Sequence, residues 1–251
     1  MMKKYYKDIK KHAQEVYPKE CCGVVINDQE YIPCNNLSSE PDQFYIDPKD
    51  IVAAGERGKI TAYVHSHPDG TTEMSEVDKA QISLHGLPWI ICAYPEGTIK
   101  THKPIVYKAP LLGRKYFHGL QDCYSLVKDY YQRECGIQLS DYERSDLWWE
   151  VKANESLYLD NFTKEGFVEL PAGTPPKKHD AFICRIGRTE HPNHAAVYLG
   201  DNAQLTSEKT PLVVGTNLIL HHPYGRLSVR EVYGENWQQR TVKHLRHKKY
   251  L

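Results

Sequence analysis

The sequence lacks an apolar run long enough to cross a membrane as a helix. Its longest apolar stretch, "LPWIICAY" at 87–94, contains Pro88 and falls far short of the roughly 20 residues that a span needs. The opening segment "MMKKYYKDIKKHAQEVYP" is charged and lacks the apolar core of about seven residues typical of a secretory signal. We therefore expect a protein without a membrane span that stays in the cytoplasm of the cell that makes it.

Neither sign of charge is in excess. Lysine plus arginine number 32, as do aspartate plus glutamate, and the pI is about 7.2. A chain without an overall positive field does not attract phosphate backbones, so nucleic acid is not an expected partner. The closing stretch "RTVKHLRHKKYL" is basic, and such short charged termini are usually solvated tails.

The seven cysteines show no repeated pairing pattern. Seven is an odd number, and without a secretory signal the side chains are expected to remain thiols. At least one of them is therefore a candidate for a reactive thiol.

The first hundred residues alternate between helical and strand-like patterns, without an internal repeat or low-complexity segment. The patterns predict helices at 3–16, 47–58 and 75–86, a hairpin at 21–36, a strand at 59–68 and a strand pair at 88–104. A proline-containing stretch without periodicity follows, and we place a domain boundary there, near Lys108. The predicted domains are 1–108 and 109–251.

The second half begins with a predicted helix at 122–135. A charged, tryptophan-rich stretch follows, and then three strand-like runs at 179–187, 193–201 and 216–223. Helices followed by antiparallel strands are typical of an α+β fold, which is the fold class that we predict for the chain.

Two histidines and an aspartate form the first chemical constellation, in "YVHSHPDGTTEMSEVD" at 63–78. His65 and His67 lie two residues apart on a predicted strand, so their side chains point to the same face. Catalytic zinc usually takes three protein ligands. Asp78 is the candidate third ligand, because the loop after Pro68 can double back.

Each of these residues also has a simpler interpretation. Ser75 and Asp78 have the spacing of a capping box, in which an acidic side chain reaches back to the backbone of the capping serine. Two histidines on one strand face often form only a hydrogen-bonded pair. A capping box does not require the two histidines, and a histidine pair on a strand does not require the aspartate. The occurrence of all three residues together therefore favours a metal site.

The His-X-His-Pro motif, with ten residues between His67 and Asp78, resembles the JAMM metallopeptidases, and Ser75 also fits their pattern. The resemblance implies an α/β sandwich with a zinc ion held by His65, His67 and Asp78. It implies that Glu20, just before "CCGVVI", is the general base and that Ser75 donates a hydrogen bond to the oxyanion. Such a centre cuts amide or isopeptide bonds.

A cysteine and several histidines form the second constellation. Cys123 begins the helical pattern "CYSLVKDYY", and the exposed N–H groups at a helix N-terminus favour thiolate over thiol. His194 begins one strand, and His221 and His222 end another. A thiol, a base and a third polar group are the minimum for covalent acyl transfer. The other six cysteines are expected to be buried and inert.

The Asp122-Cys123 pair, the strand beginning with a histidine and the later histidines resemble, in that order, the NlpC-type papain-like cysteine peptidases. The resemblance implies a papain-like α+β domain with Cys123 as nucleophile, His194 as its base and a third residue that holds the imidazole tautomer. Adjacent strand residues face opposite ways, so only one of His221 and His222 can reach His194. We favour His221, and the long segment between the two strands leaves the choice open.

The two modules together resemble the tail assembly proteins of lambda-like bacteriophages and prophages. Stretches such as "LLGRKYFHGLQDCYSLV", "WWE" and "LHHPYGRLSVREVYG" carry that resemblance along nearly the whole chain. It implies a hydrolase made in the host cytoplasm that acts at the virion tail tip. Peptidoglycan stem peptides or cross-bridges would be its substrate, and other tail-tip proteins its partners.

Two other functions remain open. One is a structural component of the tail tip that binds zinc and cell-wall peptides without catalysis. The other follows from the first half alone and is a metalloprotease of ubiquitin-like conjugates. The complete set of candidate residues in both halves favours a peptidase with two centres.

Overall fold

The computed structural model describes residues 3–38, 43–145 and 147–251. The chain divides into two compact units, one ending at Lys108 and the other beginning at Ala109. Both units combine helices with a sheet, which confirms the predicted α+β class. Among the described residues, no helix combines the length and apolar character needed to cross a bilayer.

A five-stranded sheet in the order β2-β1-β3-β4-β5 forms the first unit's centre. Its strands are β1 Cys22–Ile26, β2 Glu30–Cys34, β3 Ile60–Pro68, β4 Trp89–Tyr94 and β5 Thr98–His102. Strands β3 and β4 are parallel, and the other neighbours are antiparallel. Asn27 and Asp28 adopt positive φ in the turn of the predicted hairpin, a conformation that these two residue types tolerate.

Three helices cover this sheet, as predicted: α1 Tyr6–Val16, α2 Pro48–Arg57 and α3 Glu76–His85. Helix α1 packs on one face through Ile9. Helices α2 and α3 pack on the other through Ala54 and Ile82. The unit is an α/β sandwich with a buried core on each side of its sheet.

The second unit contains a six-stranded antiparallel sheet in the order β10-β9-β8-β7-β11-β6. Its strands are β6 Phe167–Glu169, β7 Ala181–Cys184, β8 His194–Gly200, β9 Leu218–His221, β10 Val229–Val232 and β11 Thr241–His247. Helix α4, Cys123–Tyr130, continues into a π-helical turn, Tyr131–Cys135, and a short helix α5, Glu235–Arg240, precedes β11. Helix α4 packs on β8 and β9 through Leu126 and Tyr130.

The basic closing segment is not the solvated tail that its charge predicts. It forms β11, which pairs with β7 and β6. Leu245 joins the core, while the buried Arg246 donates to both carboxylate oxygens of Asp180, at 2.7 and 2.8 Å. The prediction was wrong because the composition of a segment does not show whether its charges find buried partners.

Candidate active sites

His65, His67 and Asp78 converge in the first unit. Strand β3 presents both imidazoles on one face, and the first turn of α3 brings the carboxylate to them. Asp78 Oδ1 lies 3.1 Å from His65 Nε2, and Oδ2 lies 3.3 Å from His67 Nε2. The two Nε2 atoms are 2.9 Å apart. The two imidazole nitrogens and the carboxylate therefore face one another.

The dimensions of this cluster fit a zinc ion. Tetrahedral nitrogen and oxygen ligands, each about 2.0–2.1 Å from zinc, lie roughly 3.3–3.4 Å from one another. The two Nε2 atoms are 2.9 Å apart, and they lie 3.1 and 3.3 Å from different carboxylate oxygens of Asp78, which are separations close to that size. Within the described ranges, no other group of three histidine, cysteine or acidic side chains comes together in this way.

Asp78 also takes part in the capping box at the N-terminus of α3, whose N-cap is Ser75. The backbone N–H of Ser75 donates to Asp78 Oδ2 at 2.7 Å, and the N–H of Asp78 donates to Ser75 Oγ at 3.1 Å. This is the predicted capping box. The two interpretations of the sequence are therefore compatible, because the cap holds the carboxylate in front of the imidazoles.

The loop between β3 and α3 selects the tautomer of His67. The carbonyl of Thr71 lies 2.7 Å from His67 Nδ1, and a carbonyl only accepts, so Nδ1 carries the proton. Nε2 then keeps its lone pair for a metal ion. His102, at the end of β5, donates to the next carbonyl, Thr72, at 2.7 Å. No spacing rule in the sequence connects His102 with the motif.

The surroundings of the cluster favour the metal-binding protonation state of two of the three side chains, Asp78 and His65. Burial alone would raise the pKa of Asp78, but the neighbouring His65, followed by further hydrogen bonds, holds it well below its usual range. Complete burial lowers the pKa of His65 and favours its neutral ring. Burial also opposes protonation of His67, but the hydrogen bond with Asp78 outweighs it and raises the pKa. A cation would therefore compete with a proton at His67.

Glu20 is buried just before β1. Cys22 pairs with His65, so the antiparallel register carries Glu20 towards His67, and its charge contributes to raising the pKa of His67. The backbone N–H of Cys21 donates to Ser66 Oγ at 2.8 Å and ties this segment to β3. The predicted base is thus held beside the cluster.

The second candidate site begins at the N-terminus of α4. Asp122 caps this helix, accepting from the backbone N–H groups of Ser125 and Gly119, each at 2.9 Å. Arg144 Nε donates to the same carboxylate at 2.6 Å. These contacts fix the position of Cys123, whose sulfur lies 3.1 Å from the hydroxyl of Tyr158.

Cys123, His194 and His221 line one cavity of about 300 Å³. His194 begins β8 and His221 ends the neighbouring β9, which brings His194 Nε2 within 3.2 Å of His221 Nδ1. His222 also lines the cavity, but its ring packs edge-on against Tyr116. Of the two histidines left open by the sequence, His221 is the one that contacts His194.

The protonation state of the thiol differs from the expectation based on the helix terminus. Burial, with a smaller effect of the Asp122 charge, raises the pKa of Cys123 to about 11. Burial also lowers the pKa of His194 to about 3, aided by repulsion from His221 and His222. Desolvation outweighs the helix terminus, so the resting pair is a neutral thiol and a neutral imidazole.

Several residues of this site carried no signal in the sequence. Trp237 of α5 packs against both histidine rings, with centroids 5.6 Å from His194 and 4.6 Å from His221. Tyr158 reaches the sulfur from a stretch outside helices and strands. Both come from segments far from the motif, and only the fold brings them to the cavity.

Comparison with known proteins finds a different family match in each of the two units. Residues 2–103 match the family described as prokaryotic homologs of the JAB domain, and residues 113–246 match the NlpC/P60 family. Tail tip assembly protein K of Escherichia phage N15 is 40% identical over 252 residues, covering 99% of this chain and 96% of that protein. The chain belongs to the family of tail tip assembly protein K.

A second K protein, from Escherichia phage lambda, is 36% identical over 202 residues, covering 80% of this chain and 88% of that protein. The desampylase of Haloferax volcanii is 29% identical over 98 residues, covering 34% of this chain and 70% of that protein. The predicted resemblance to phage tail assembly proteins, with a JAB-like domain before an NlpC/P60 domain, is confirmed.

Proposed function

We propose that this phage tail-tip protein is a hydrolase whose NlpC/P60 domain cuts peptide amide bonds of peptidoglycan, with Cys123 as nucleophile. The observation that carries the proposal is the 3.2 Å contact between His194 Nε2 and His221 Nδ1 on the wall of the cavity that Cys123 also lines. A thiol, an imidazole and a group that orients the imidazole are the set that acyl transfer needs.

The neutral resting pair implies that proton transfer accompanies attack. The sulfur of Cys123 bonds to the substrate carbonyl carbon while His194 accepts the thiol proton. The carbonyl π electrons move to oxygen, and a backbone N–H at the N-terminus of α4 can stabilise that charge. The C–N bond then breaks as His194 returns the proton to the amine. Water hydrolyses the thioester by the same route and restores the thiol.

The cavity walls support a peptide with carboxylate groups as substrate. Arg226 and Arg240 lie on its rim with exposed side chains, and both can pair with free carboxylates of a stem peptide. Aromatic side chains form much of the remaining wall: Tyr116, Trp148, Trp149, Tyr224 and Trp237. Such walls bury the apolar parts of a bound peptide.

We also propose a second hydrolytic centre in the JAB-like domain, with zinc held by His65, His67 and Asp78. Zinc in that position would supply Lewis acidity to a substrate amide or isopeptide carbonyl. Glu20 would accept a proton and pass it to the leaving amine. The hydroxyl of Ser75, which accepts from the N–H of Asp78, keeps its own proton to donate to the carbonyl oxygen.

The names of the K-family relatives support a place for this chain in tail assembly. We propose that it meets its partners, other tail-tip proteins, in the host cytoplasm during assembly and then acts from the virion tail tip.

Mass spectrometry of digested peptidoglycan tests both centres. The wild type and His65→Ala should release the same new peptide ends, and Cys123→Ser should release none. Cys135→Ser is the matched control, since Cys135 is buried in the same unit but does not line the cavity. Release of all the wild-type ends by Cys123→Ser would end the proposal for the thiol centre, and an end that Cys123→Ser still releases but His65→Ala does not would assign a bond to the metal cluster.

A non-catalytic tail component is the second candidate function. It is favoured by one observation: Cys123 and His194 are both buried, and burial raises the pKa of Cys123 and lowers that of His194, which opposes an ion pair before substrate arrives. Under that alternative, phage carrying Cys123→Ala would remain fully infectious while deletion of the domain would stop tail assembly.

A further inference from the structure

A carboxylate lies directly behind His221, on the side away from His194. Strand β10 pairs with β9 so that Val229 is opposite His221, and Glu231 is the diagonal neighbour on the same face, within reach of a long side chain. Glu231 Oε2 lies 3.4 Å from His221 Nε2. The same oxygen accepts from the indole N–H of Trp237 at 3.1 Å.

The proton of the hydrogen bond between His194 Nε2 and His221 Nδ1 can lie on either nitrogen. In one, His194 Nε2–H donates to a bare Nδ1 of His221, which leaves His194 Nδ1 unprotonated and able to accept from a thiol. In the other, His221 Nδ1–H donates to a bare Nε2 of His194, and the single proton of His194 then sits on Nδ1. The 3.2 Å distance is the same in both, but only the first leaves the second ring nitrogen of His194 available as a base.

The carboxylate of Glu231 favours the first of these two arrangements. A carboxylate only accepts, so it favours the His221 tautomer with the proton on Nε2 and a bare Nδ1. Among the residues that the structure describes, His221 Nε2 is buried without a well-formed hydrogen bond to another group, and Glu231 provides the acceptor 3.4 Å away. Catalytic hydrogen bonds are often long before substrate binds and tighten afterwards.

We propose that Glu231 is a positioning residue that sets the tautomer of His221 and, through it, the ring nitrogen of His194 that accepts the thiol proton. Its effect on rate rests on the proposed peptidase function, whereas its effect on the tautomer does not. Trp237 supports this role, because its N–H holds Oε2 and its ring packs against His221.

The negative charge of Glu231 should also affect the pH dependence of activity in a predictable direction. Burial lowers the pKa of His221, and Glu231 opposes that effect. Other charged or titratable groups line the same cavity: His222 just after β9, Asp122 as the N-cap of α4, Arg240 on α5, and His118, Cys123, Arg144 and Arg226. Protonation of the pair removes the base, so activity falls on the acid side. Removing the Glu231 charge should move that acid limb to lower pH.

Ring-nitrogen NMR of the full chain labelled with ¹⁵N-histidine tests the tautomer directly. In the wild type, His221 should carry its proton on Nε2 and His194 should also carry its proton on Nε2. Glu231→Gln should keep this pattern, because the amide oxygen still accepts, and Glu231→Ala should shift His221 towards Nδ1–H. Glu235→Ala, an exposed acidic residue of α5, is the matched control and should change nothing.

Kinetics on a muropeptide provide the second measurement. Glu231→Ala should lower kcat by about 10- to 100-fold, the usual effect of losing a group that orients a ligand or base, with KM nearly unchanged. Glu231→Gln should retain most of kcat while its acid limb moves to lower pH. Nδ1–H on His221 in the wild type, or an unchanged tautomer in Glu231→Ala, would overturn the inference. If the wild type cuts no muropeptide, the peptidase proposal fails while the NMR signals still decide the tautomer.

Discussion

The hydroxyl of Tyr158 lies 3.1 Å from the sulfur of Cys123, and both side chains are buried. The hydroxyl lowers the pKa of the thiol, which burial otherwise raises. A phenol that donates to sulfur stabilises the negative charge that develops there during attack. Under the proposed peptidase function, Tyr158 would therefore take part in the chemistry of the thiol, although no motif includes it.

Replacing Tyr158 by phenylalanine should lower kcat/KM on a muropeptide by about tenfold, the effect of one hydrogen bond to a charged group. The aromatic ring remains, so the fold should persist, and the melting temperature provides that check. The matched control is Tyr116→Phe, which changes a tyrosine on the same cavity wall that packs against His222. Equal losses in both variants would mean that the contact with sulfur has no special effect.

Alkylation of Cys123 by iodoacetamide should accelerate about tenfold per pH unit from pH 7 to 10. The pKa of about 11 leaves roughly one thiol in 10,000 ionised at pH 7. Site-resolved mass spectrometry measures the rate, with the fully buried Cys92 and Cys184 as internal controls that should remain unlabelled. A rate that levels off below pH 8 would show that the helix terminus outweighs burial after all.

Purified protein should contain about one zinc ion per chain, which His65→Ala or Asp78→Asn should remove. Zinc should leave as pH falls, because a proton competes for His67, whose pKa is raised by its hydrogen bond with Asp78 despite burial. Elemental analysis across pH 5 to 8 measures this. The control is His85→Ala, which removes a histidine of α3 outside the cluster. Full zinc content in His65→Ala would mean that the ligands lie elsewhere.

Arg246→Met should lower the free energy of unfolding by about 3–5 kcal/mol, because it leaves the buried Asp180 carboxylate without its main partner. Burial opposes ionisation of Asp180, but Arg246 and His244 hold its pKa below 3.8. The stabilisation is therefore present above pH 4 and lost as pH falls through the lowered pKa. Urea titrations at pH 7 and pH 3 measure both effects.

The control for that experiment is Lys243→Ala on the same strand. Its ion pair with Glu169 is partly exposed to solvent and should contribute only about 0–1 kcal/mol. A loss in Lys243→Ala as large as that in Arg246→Met would show that β11 depends on strand propensity rather than on the buried ion pair.

The candidate metal cluster could be predicted from the sequence because the positions of its three residues depend on short-range patterns. His65 and His67 share a face through strand periodicity, and the capping box that places Asp78 lies within one turn of α3. The presence of Cys123 and His194 on the wall of one cavity followed from a resemblance in the order of motifs. The choice between His221 and His222 did not, because it depends on the register between β8 and β9.

The sequence by itself determined the α+β class, the helices and strands of the first unit and the residue types of both constellations, since these depend on periodicity and on spacing within short segments. Only the tertiary structure decided the rest. It brought Tyr158 to the thiol of Cys123, and Glu231 and Trp237 to the ring of His221. It also made the basic closing segment a strand of the second sheet. It also left Cys123 protonated, because the desolvation of a side chain depends on everything that packs around it.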